Sequence, residues 1–314
     1  MKGTALVTGI LIAALSFSTG TIHAAPDEKE SQERMALYKK TSAVTDIPWE
    51  YLAAVDQYER QVHDDPDEGR VTAIEFDPVF WSGSSDAFPS AVSPNGWGSD
   101  GNGDEKADIH NDEDVLWSLG RYIKSFGTTE DDIKIALFQY YKRDLTVQTI
   151  MHSAEVFRKF KTVHLTNRDF PLPKQYNYSY RSTWGDARGF GGRRIHEGTD
   201  IFAGYGVPVK STTYGVVEMK GWNTYGGWRI GIRDIYNIYH YYAHLQNFSK
   251  EIKVGDVVQP GDVIGAVGAS GYGPPGTSGK FPPHLHYGMY QDNGKNEWSF
   301  DPYPFLRRWE RMAE

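Results

Sequence analysis

Cysteine is absent from the 314 residues of this chain. Its absence excludes disulfide bonds, thiolate nucleophiles and cysteine metal ligands. Stability must therefore come from packing or from bound ions. A transition metal, if one is bound, must be held by histidine and carboxylate side chains.

Long apolar runs are scarce, and the one exception lies at the N-terminus. Lys2 precedes an apolar run over residues 5–17 and small residues before Pro26, which is the pattern of a signal peptide over residues 1–25. The run falls short of the roughly 20 residues that a membrane-spanning helix needs. We therefore expect cleavage and export without stable membrane insertion; retention of the run as an anchor is the alternative.

Excess positive charge is also missing, since the formal net charge is −8. Residues 26–165 carry 27 Asp and Glu against 15 Lys and Arg, whereas residues 166–314 carry 14 against 17. This balance does not favour nucleic acid as a partner. The mildly basic second half is better suited to an anionic polymer.

The residues that are present divide the chain into two parts. Over residues 31–164 apolar side chains recur at spacings of three and four, as in the segment 48–62, which predicts helices. Residues 165–192 lack periodicity and are rich in Pro, Gly and Asn, which is typical of a linker or an irregular domain edge. Short β-branched and aromatic runs over residues 193–308 predict antiparallel strands. The predicted fold class is α+β, with a small helical domain before a mostly antiparallel β domain.

Polar side chains concentrate in three short segments of the β half: His196-Glu197-Gly198-Thr199-Asp200, Tyr242-Ala243-His244-Leu245 and Pro283-His284-Leu285-His286. His284 and His286 are two apart in a strand-like run, so their rings share a face with Cα atoms about 6.6 Å apart. One can bind an ion while the other reaches its water. His196 and Asp200 would lie about 13 Å apart on a straight strand, so a bend at Gly198 is required.

The same calculation applies to His240. It lies four residues before His244, in a strand-like run with no glycine between them. We therefore expect His240 to lie outside the site.

In this order the three segments resemble the lysostaphin-type zinc endopeptidases of family M23, also called LytM-type domains, whose signature is His-x-x-x-Asp, Tyr-x-His-Leu and His-x-His. The resemblance covers about residues 193–308. It implies one zinc ion bound by His196, Asp200 and His286, with His244 and His284 as the catalytic histidines. It also implies a secreted or cell-wall-associated monomer that acts on peptidoglycan.

Within that family, the two-part architecture resembles the L-Ala–D-Glu peptidases of sporulating bacilli. This resemblance implies that the amide bond between L-Ala and D-Glu in spore-cortex stem peptides is cut. Two alternatives remain open: a lytic transglycosylase that cleaves glycan and carries an accessory LytM-type module, and a non-catalytic wall-binding protein.

An acidic loop in the helical half has the spacing of a calcium site. Asp100, Asn102, Asp104 and Asp108 occupy loop positions one, three, five and nine. Position six is not Gly and position twelve is not Glu, so a solvated acidic turn is the alternative to a bound Ca²⁺.

The helices around this loop resemble lytic-transglycosylase-like domains. Glu59, at the end of the predicted helix 48–62, matches the acid/base of that family and lies on the apolar stripe of the helix. However, the glycine-bearing segment that normally follows is absent, and residues 76–97 show little likeness. The alternative is that Glu59 is a paired helix carboxylate.

Overall fold

The structure of the protein, a computed structural model, describes residues 27–63, 69–83, 96–189 and 194–313. The predicted signal peptide over residues 1–25 lies outside these ranges. Among the described residues, no helix has the length and apolar character needed to cross a membrane.

The first half of the described chain is helical, as its apolar periodicity predicts. Its helices are α1 (Glu28–Thr45), α2 (Trp49–Val62), α3 (Pro78–Ser82), α4 (Asp112–Lys124), α5 (Glu130–Tyr141) and α6 (Asp144–Phe160). The side chain of Asn111 accepts from the first free N–H groups of α4 and so fixes where that helix begins. Helix α2 is buried along most of its length because it packs against both α1 and α6.

The second half forms an antiparallel sheet, followed by helix α7 (Tyr303–Met312). Its first strands are β1 (Tyr178–Tyr180), β2 (Ala187–Arg188), β3 (Arg194–Ile195), β4 (Thr199–Ala203), β5 (Pro208–Lys210) and β6 (Gly215–Asn223). The others are β7 (Gly227–Asp234), β8 (Ile238–Phe248), β9 (Val257–Val258), β10 (Val263–Val267), β11 (His284–Asp292) and β12 (Glu297–Phe300). The α+β fold class is confirmed.

The order of the strands places the three polar segments side by side. Strands β1, β4, β11, β8, β7, β6 and β9 follow one another across the large sheet, while β2 and β3 form a separate hairpin. Along β7, Ile230 and Ile232 are fully buried in the core, so the residues that alternate with them face the opposite side. We call that opposite side the cleft face; it also carries Tyr241 and His286.

The two halves share one continuous core. Helix α6 packs against β6, and apolar side chains from both halves belong to the same buried cluster. Segment 165–192, expected as a linker or domain edge, is folded onto the sheet: Phe170 and Leu172 are fully buried, and β1 pairs with β4. The described part of this segment therefore helps to build the core.

Candidate metal centre

Three adjacent strands, β4, β11 and β8, bring residues of all three polar segments together. His286 on β11 lies directly opposite Asp200 on β4 and directly opposite Ala243 on β8. Residues directly opposite each other in antiparallel strands project from the same face of the sheet. The register alone therefore places Asp200 and His286 side by side on the cleft face.

His196 reaches the same point because it lies in the short non-strand segment between β3 and β4. The predicted bend is present, and Gly198 lies within it. A side chain at Gly198 would meet the ring of His286, with a Cβ only 2.6 Å from Cε1 of that ring. Glycine is thus needed for the close approach of the His286 imidazole.

The three donor atoms converge closely. The distance from His196 Nε2 to His286 Nδ1 is 2.8 Å, and Asp200 Oδ1 lies 3.0 Å from each of these nitrogens. Ligands around a single tetrahedral Zn²⁺ lie about 3.3 Å apart. Within the described chain, these three residues form the only group of His, Asp and Glu side chains that converges in this way.

Backbone carbonyls orient three of the histidine rings. Each ring lies with Nδ1 next to a carbonyl oxygen, at 2.8 Å for His196 and Thr183, 2.8 Å for His244 and Ser270, and 2.9 Å for His284 and Pro282. A neutral imidazole that donates from Nδ1 keeps the lone pair on Nε2. All three rings therefore present an acceptor nitrogen to the site, which is the tautomer that metal binding and proton abstraction require.

An unusual backbone conformation aims His244 at the site. Its φ of 61° lies in the left-handed region, at an irregularity in the pairing of β8 with β7. In a regular strand, His244 would share the face of His240, which points into the core. The irregularity instead brings the His244 ring to 4.8 Å from the ring of His284.

His240 lies outside the site, as expected. It is fully buried on the core face, where its Nε2 lies 3.1 Å from Asp234 Oδ2 and its Nδ1 lies 2.6 Å from the Tyr287 hydroxyl. The sequence predicted this from the distance between His240 and His244 along the strand. The structure adds a second reason, since His240 and His286 project from opposite faces of the sheet.

The electrostatics favour the neutral form of His244, His284 and His286 and the ionised form of Asp200. Burial lowers the pKa of His284 and of His286, although the charge of Asp200 opposes it. Burial, followed by the charges of the neighbouring imidazoles, holds the pKa of His244 well below its ordinary value. Burial alone would raise the pKa of Asp200, but the imidazoles of His196 and His286 hold it below its usual range. These are the protonation states that metal ligands need.

One buried nitrogen supports a cation at this site. Nε2 of His284 has no hydrogen-bond partner among the described residues and lies 3.7 Å from Asp200 Oδ1. A lone pair that faces a carboxylate without a proton donor between them is unfavourable. Two imidazole nitrogens and one carboxylate oxygen are a common catalytic zinc set, so the residues fit this metal.

Sequence reasoning missed two residues that support the centre. Thr183 accepts from His196 through its carbonyl and from the Asp200 N–H through its hydroxyl, at 3.1 Å. The Arg188 guanidinium donates to the second carboxylate oxygen of Asp200. Both residues lie in segment 165–192, where the sequence shows neither a motif nor a regular period, so no local signal could have identified them.

The centre opens into a cleft of about 520 Å³. Aromatic rings form much of its wall, and guanidinium groups are interspersed among them. Its lining includes Arg194, Tyr225, Arg229, Tyr241 and Tyr272. A cleft of this size suits a short peptide.

The sequence-predicted residues of the helical half form no comparable site. Asp100 accepts from the N–H groups of Gly103 and Glu105, and Asp104 accepts from that of Lys106. The carboxylates of Asp100, Asp104 and Asp108 do not converge within the described chain. Beside them, Asn102 accepts from the N–H of Asp104. The expected Ca²⁺ is not supported.

Glu59 is buried and paired. Its carboxylate accepts from the Tyr141 hydroxyl and lies 2.8 Å from Nε2 of His63. These contacts correspond to the paired helix carboxylate, which was the alternative to a glycan-cleaving acid.

Comparison with known proteins agrees with this geometry. The model of peptidase family M23 matches residues 194–302. The chain is 55% identical over 316 residues to the L-Ala–D-Glu endopeptidase of Bacillus subtilis (strain 168), covering 98% of this chain and 97% of that protein. The chain belongs to peptidase family M23.

Other similar proteins match a smaller part of the chain. Lysostaphin of Staphylococcus staphylolyticus is 36% identical over 115 residues, which are 36% of this chain and 22% of that protein. A solved zinc-containing peptidase from Vibrio cholerae is 26% identical and superposes with a TM-score of 0.35, covering 44% of this chain and 39% of the other. M23 peptidases are zinc enzymes, so this chain is a metallopeptidase with a potential zinc site.

Proposed function

We propose that this chain hydrolyses the amide bond between L-Ala and D-Glu in peptidoglycan stem peptides. The observation that carries the proposal is the convergence of His196, Asp200 and His286 beside two further histidines, in a chain that is 55% identical to an L-Ala–D-Glu endopeptidase along nearly its whole length. The bond comes from that relative, whereas the reaction type follows from the residues themselves.

In this proposal His196, Asp200 and His286 hold one Zn²⁺. When bound, this ion acts as a Lewis acid that acidifies water and polarises the scissile carbonyl. The hydrogen bond between His196 and Thr183 and the ion pair between Asp200 and Arg188 keep these side chains in position.

His244 and His284 handle protons in the proposed mechanism. Each has Nδ1 next to a backbone carbonyl, which leaves the Nε2 lone pair free, and each is neutral near pH 7 because burial lowers its pKa. A neutral imidazole can accept a proton from the attacking water. After that transfer, an imidazolium can stabilise the negative oxygen of the tetrahedral intermediate and protonate the leaving amine.

The setting of this reaction is also proposed. We assign residues 1–25 to a signal peptide, residues 31–164 to a helical domain, residues 165–192 to a connecting segment and residues 193–308 to the peptidase domain. Action outside the cytoplasm on spore-cortex peptidoglycan is consistent with this organisation and with the near-full-length relative. The helical half then grips glycan or positions the peptidase.

Product analysis tests the proposed bond. The mature protein, loaded with Zn²⁺, is incubated with purified muropeptides and the products are read by mass spectrometry. We expect new N-terminal D-Glu. Cleavage at any other amide bond would contradict the assignment.

The same experiment separates the rival functions. Anhydro-muramyl ends that disappear in Glu59→Gln would show that the chain cleaves glycan. An absence of products, together with sedimentation of the protein with cell walls, would indicate a non-catalytic wall-binding protein.

A further inference from the structure

Arg229 lies beside the site because of the irregularity at His244. In the pairing of β7 with β8, the residues that flank this point are Trp228 opposite Leu245 and Ile230 opposite Tyr242. One residue of β7, Arg229, therefore faces two residues of β8, Ala243 and His244. This is a β-bulge, a feature that redirects side chains near functional sites.

The strand register continues from Arg229 and Ala243 across the sheet to the metal centre. Ala243 lies opposite His286, and His286 lies opposite Asp200. Arg229 is therefore two strands from His286, or about 10 Å between backbones at ordinary strand spacing. A guanidinium that extends from this position can reach a substrate atom a few bonds away from the scissile amide.

The side chain of Arg229 points into the cleft. Its neighbour Ile230 is fully buried in the core, so Arg229 projects from the opposite face and lines the cleft. The guanidinium carbon lies 5.8 Å from the centre of the Tyr241 ring. That ring is in turn 5.8 Å from the ring of His286. Arg229 is thus linked to the site by a single aromatic side chain.

Arg229 lacks a counter-ion among the described residues, unlike two other arginines nearby. Arg188 pairs with Asp200, and Arg233 pairs with both Glu218 and Glu297. Nε of Arg229 is buried and has no hydrogen-bond partner within the described chain. A buried donor left without a partner is unfavourable, and an anion bound at this position would satisfy it.

We propose that Arg229 binds the free carboxylate of the D-Glu residue on the amine side of the scissile bond. This inference rests on the proposed function. A glutamyl residue has two carboxyl groups, and whichever one continues the peptide, the other stays free and ionised at neutral pH. L-Ala offers no such group. The fork of a guanidinium matches a carboxylate with two parallel hydrogen bonds.

A matched pair of substrates tests the proposal. One peptide contains L-Ala–D-Glu with its free carboxylate, and the other carries a carboxamide at that position. For the wild-type enzyme we expect kcat/KM to be about 10- to 100-fold higher for the acid, the range for a hydrogen bond to a charged group. Arg229→Gln should lose this preference, chiefly through the acid substrate, and Arg229→Lys should retain part of it.

Three controls accompany these variants. Zinc content, measured for every variant, shows whether the site is intact. Arg308→Gln removes an equivalent charge from an exposed position on α7 and should keep the full preference for the acid. Arg194→Gln tests another arginine that lines the cleft, one that is exposed and lies over the Tyr225 ring at 4.6 Å.

Each result has one meaning. Loss of the preference in Arg229→Gln with normal zinc content supports the proposal. Equal kcat/KM for both substrates in the wild type, an equal fall for both in Arg229→Gln, or loss of the preference only in Arg194→Gln would overturn it. If the wild type cleaves neither peptide while it cuts muropeptides at another bond, the proposed function itself fails, and the assignment of Arg229 fails with it.

Discussion

At the scale of single residues, two histidines two positions apart on one strand have different surroundings. His286 Nδ1 lies within 3.0 Å of both other donor atoms, whereas His284 Nε2 has no hydrogen-bond partner in the described structure. The motif His-x-His states only that both rings share a face. Their division into ligand and proton carrier depends on which ring atom meets Asp200.

This difference predicts distinct losses in the two alanine variants. His286→Ala removes one of the three proposed ligands, so we expect both zinc and activity to be lost. His284→Ala leaves the proposed ligands in place, so we expect bound zinc but a fall in kcat of about 10²- to 10⁴-fold, the usual contribution of a general acid or base. Metal analysis after dialysis, with kinetics on the same samples, checks both. Equal zinc contents would show the division of roles to be wrong.

At the scale of elements, helix α2 is organised around a buried charge. Asp56 is completely buried, pairs with Arg34 at 3.0 Å and also lies 3.3 Å from Arg60. Burial alone would raise the pKa of this carboxyl, but the charges of Arg34 and Arg60 lower it below its ordinary value. Since Arg34 lies on α1, the pair ties α1 to α2.

The lowered pKa of Asp56 predicts a pH-dependent contribution to stability. A carboxyl whose pKa is lower in the folded state stabilises that state above its unfolded pKa of about 3.9, and this stabilisation disappears as the pH falls through the folded pKa. Asp56→Asn should reduce the free energy of unfolding by about 3 kcal/mol at pH 7. The difference from wild type should shrink below about pH 4.

Urea unfolding at several pH values measures this difference. Asp46→Asn is the matched control, because Asp46 forms an exposed pair with Lys124 and should change stability by less than about 1 kcal/mol. A difference between Asp56→Asn and wild type that does not vary with pH would contradict the role given to this carboxylate.

At the scale of the whole molecule, the helical half and the sheet are one packed body in the described structure. The buried apolar cluster extends through both. Arg143, at the start of α6, forms two hydrogen bonds of 2.7 and 2.6 Å to Asp292, a completely buried carboxylate at the end of β11. His284 and His286 lie on that same strand.

This packing predicts one unfolding transition instead of two. Helical circular dichroism and zinc release should change at the same temperature. Arg143→Leu leaves Asp292 buried without its partner, so it should lower the free energy of unfolding by about 3 kcal/mol and shift both signals together. Arg181→Leu is the control, since its pair with Asp186 is exposed. Separate melting of the helical half would contradict a shared core.

The sequence alone determined the local features of this protein. Apolar spacing predicted the helical half and α2 within it, short β-branched and aromatic runs predicted the strands, and the order of three polar segments identified the residues that the structure brings together. These features depend on periods of a few residues, because side-chain direction along a helix or strand follows from the backbone itself.

Tertiary structure alone decided which residues support the site. Thr183 and Arg188 reach it from a segment with no periodic pattern, and Arg229 reaches it because a bulge sets one residue of β7 against two of β8. The bulge also turns His244 from the core face to the cleft face. None of these contacts has a sequence signature, because each depends on the register between strands that are distant in the chain.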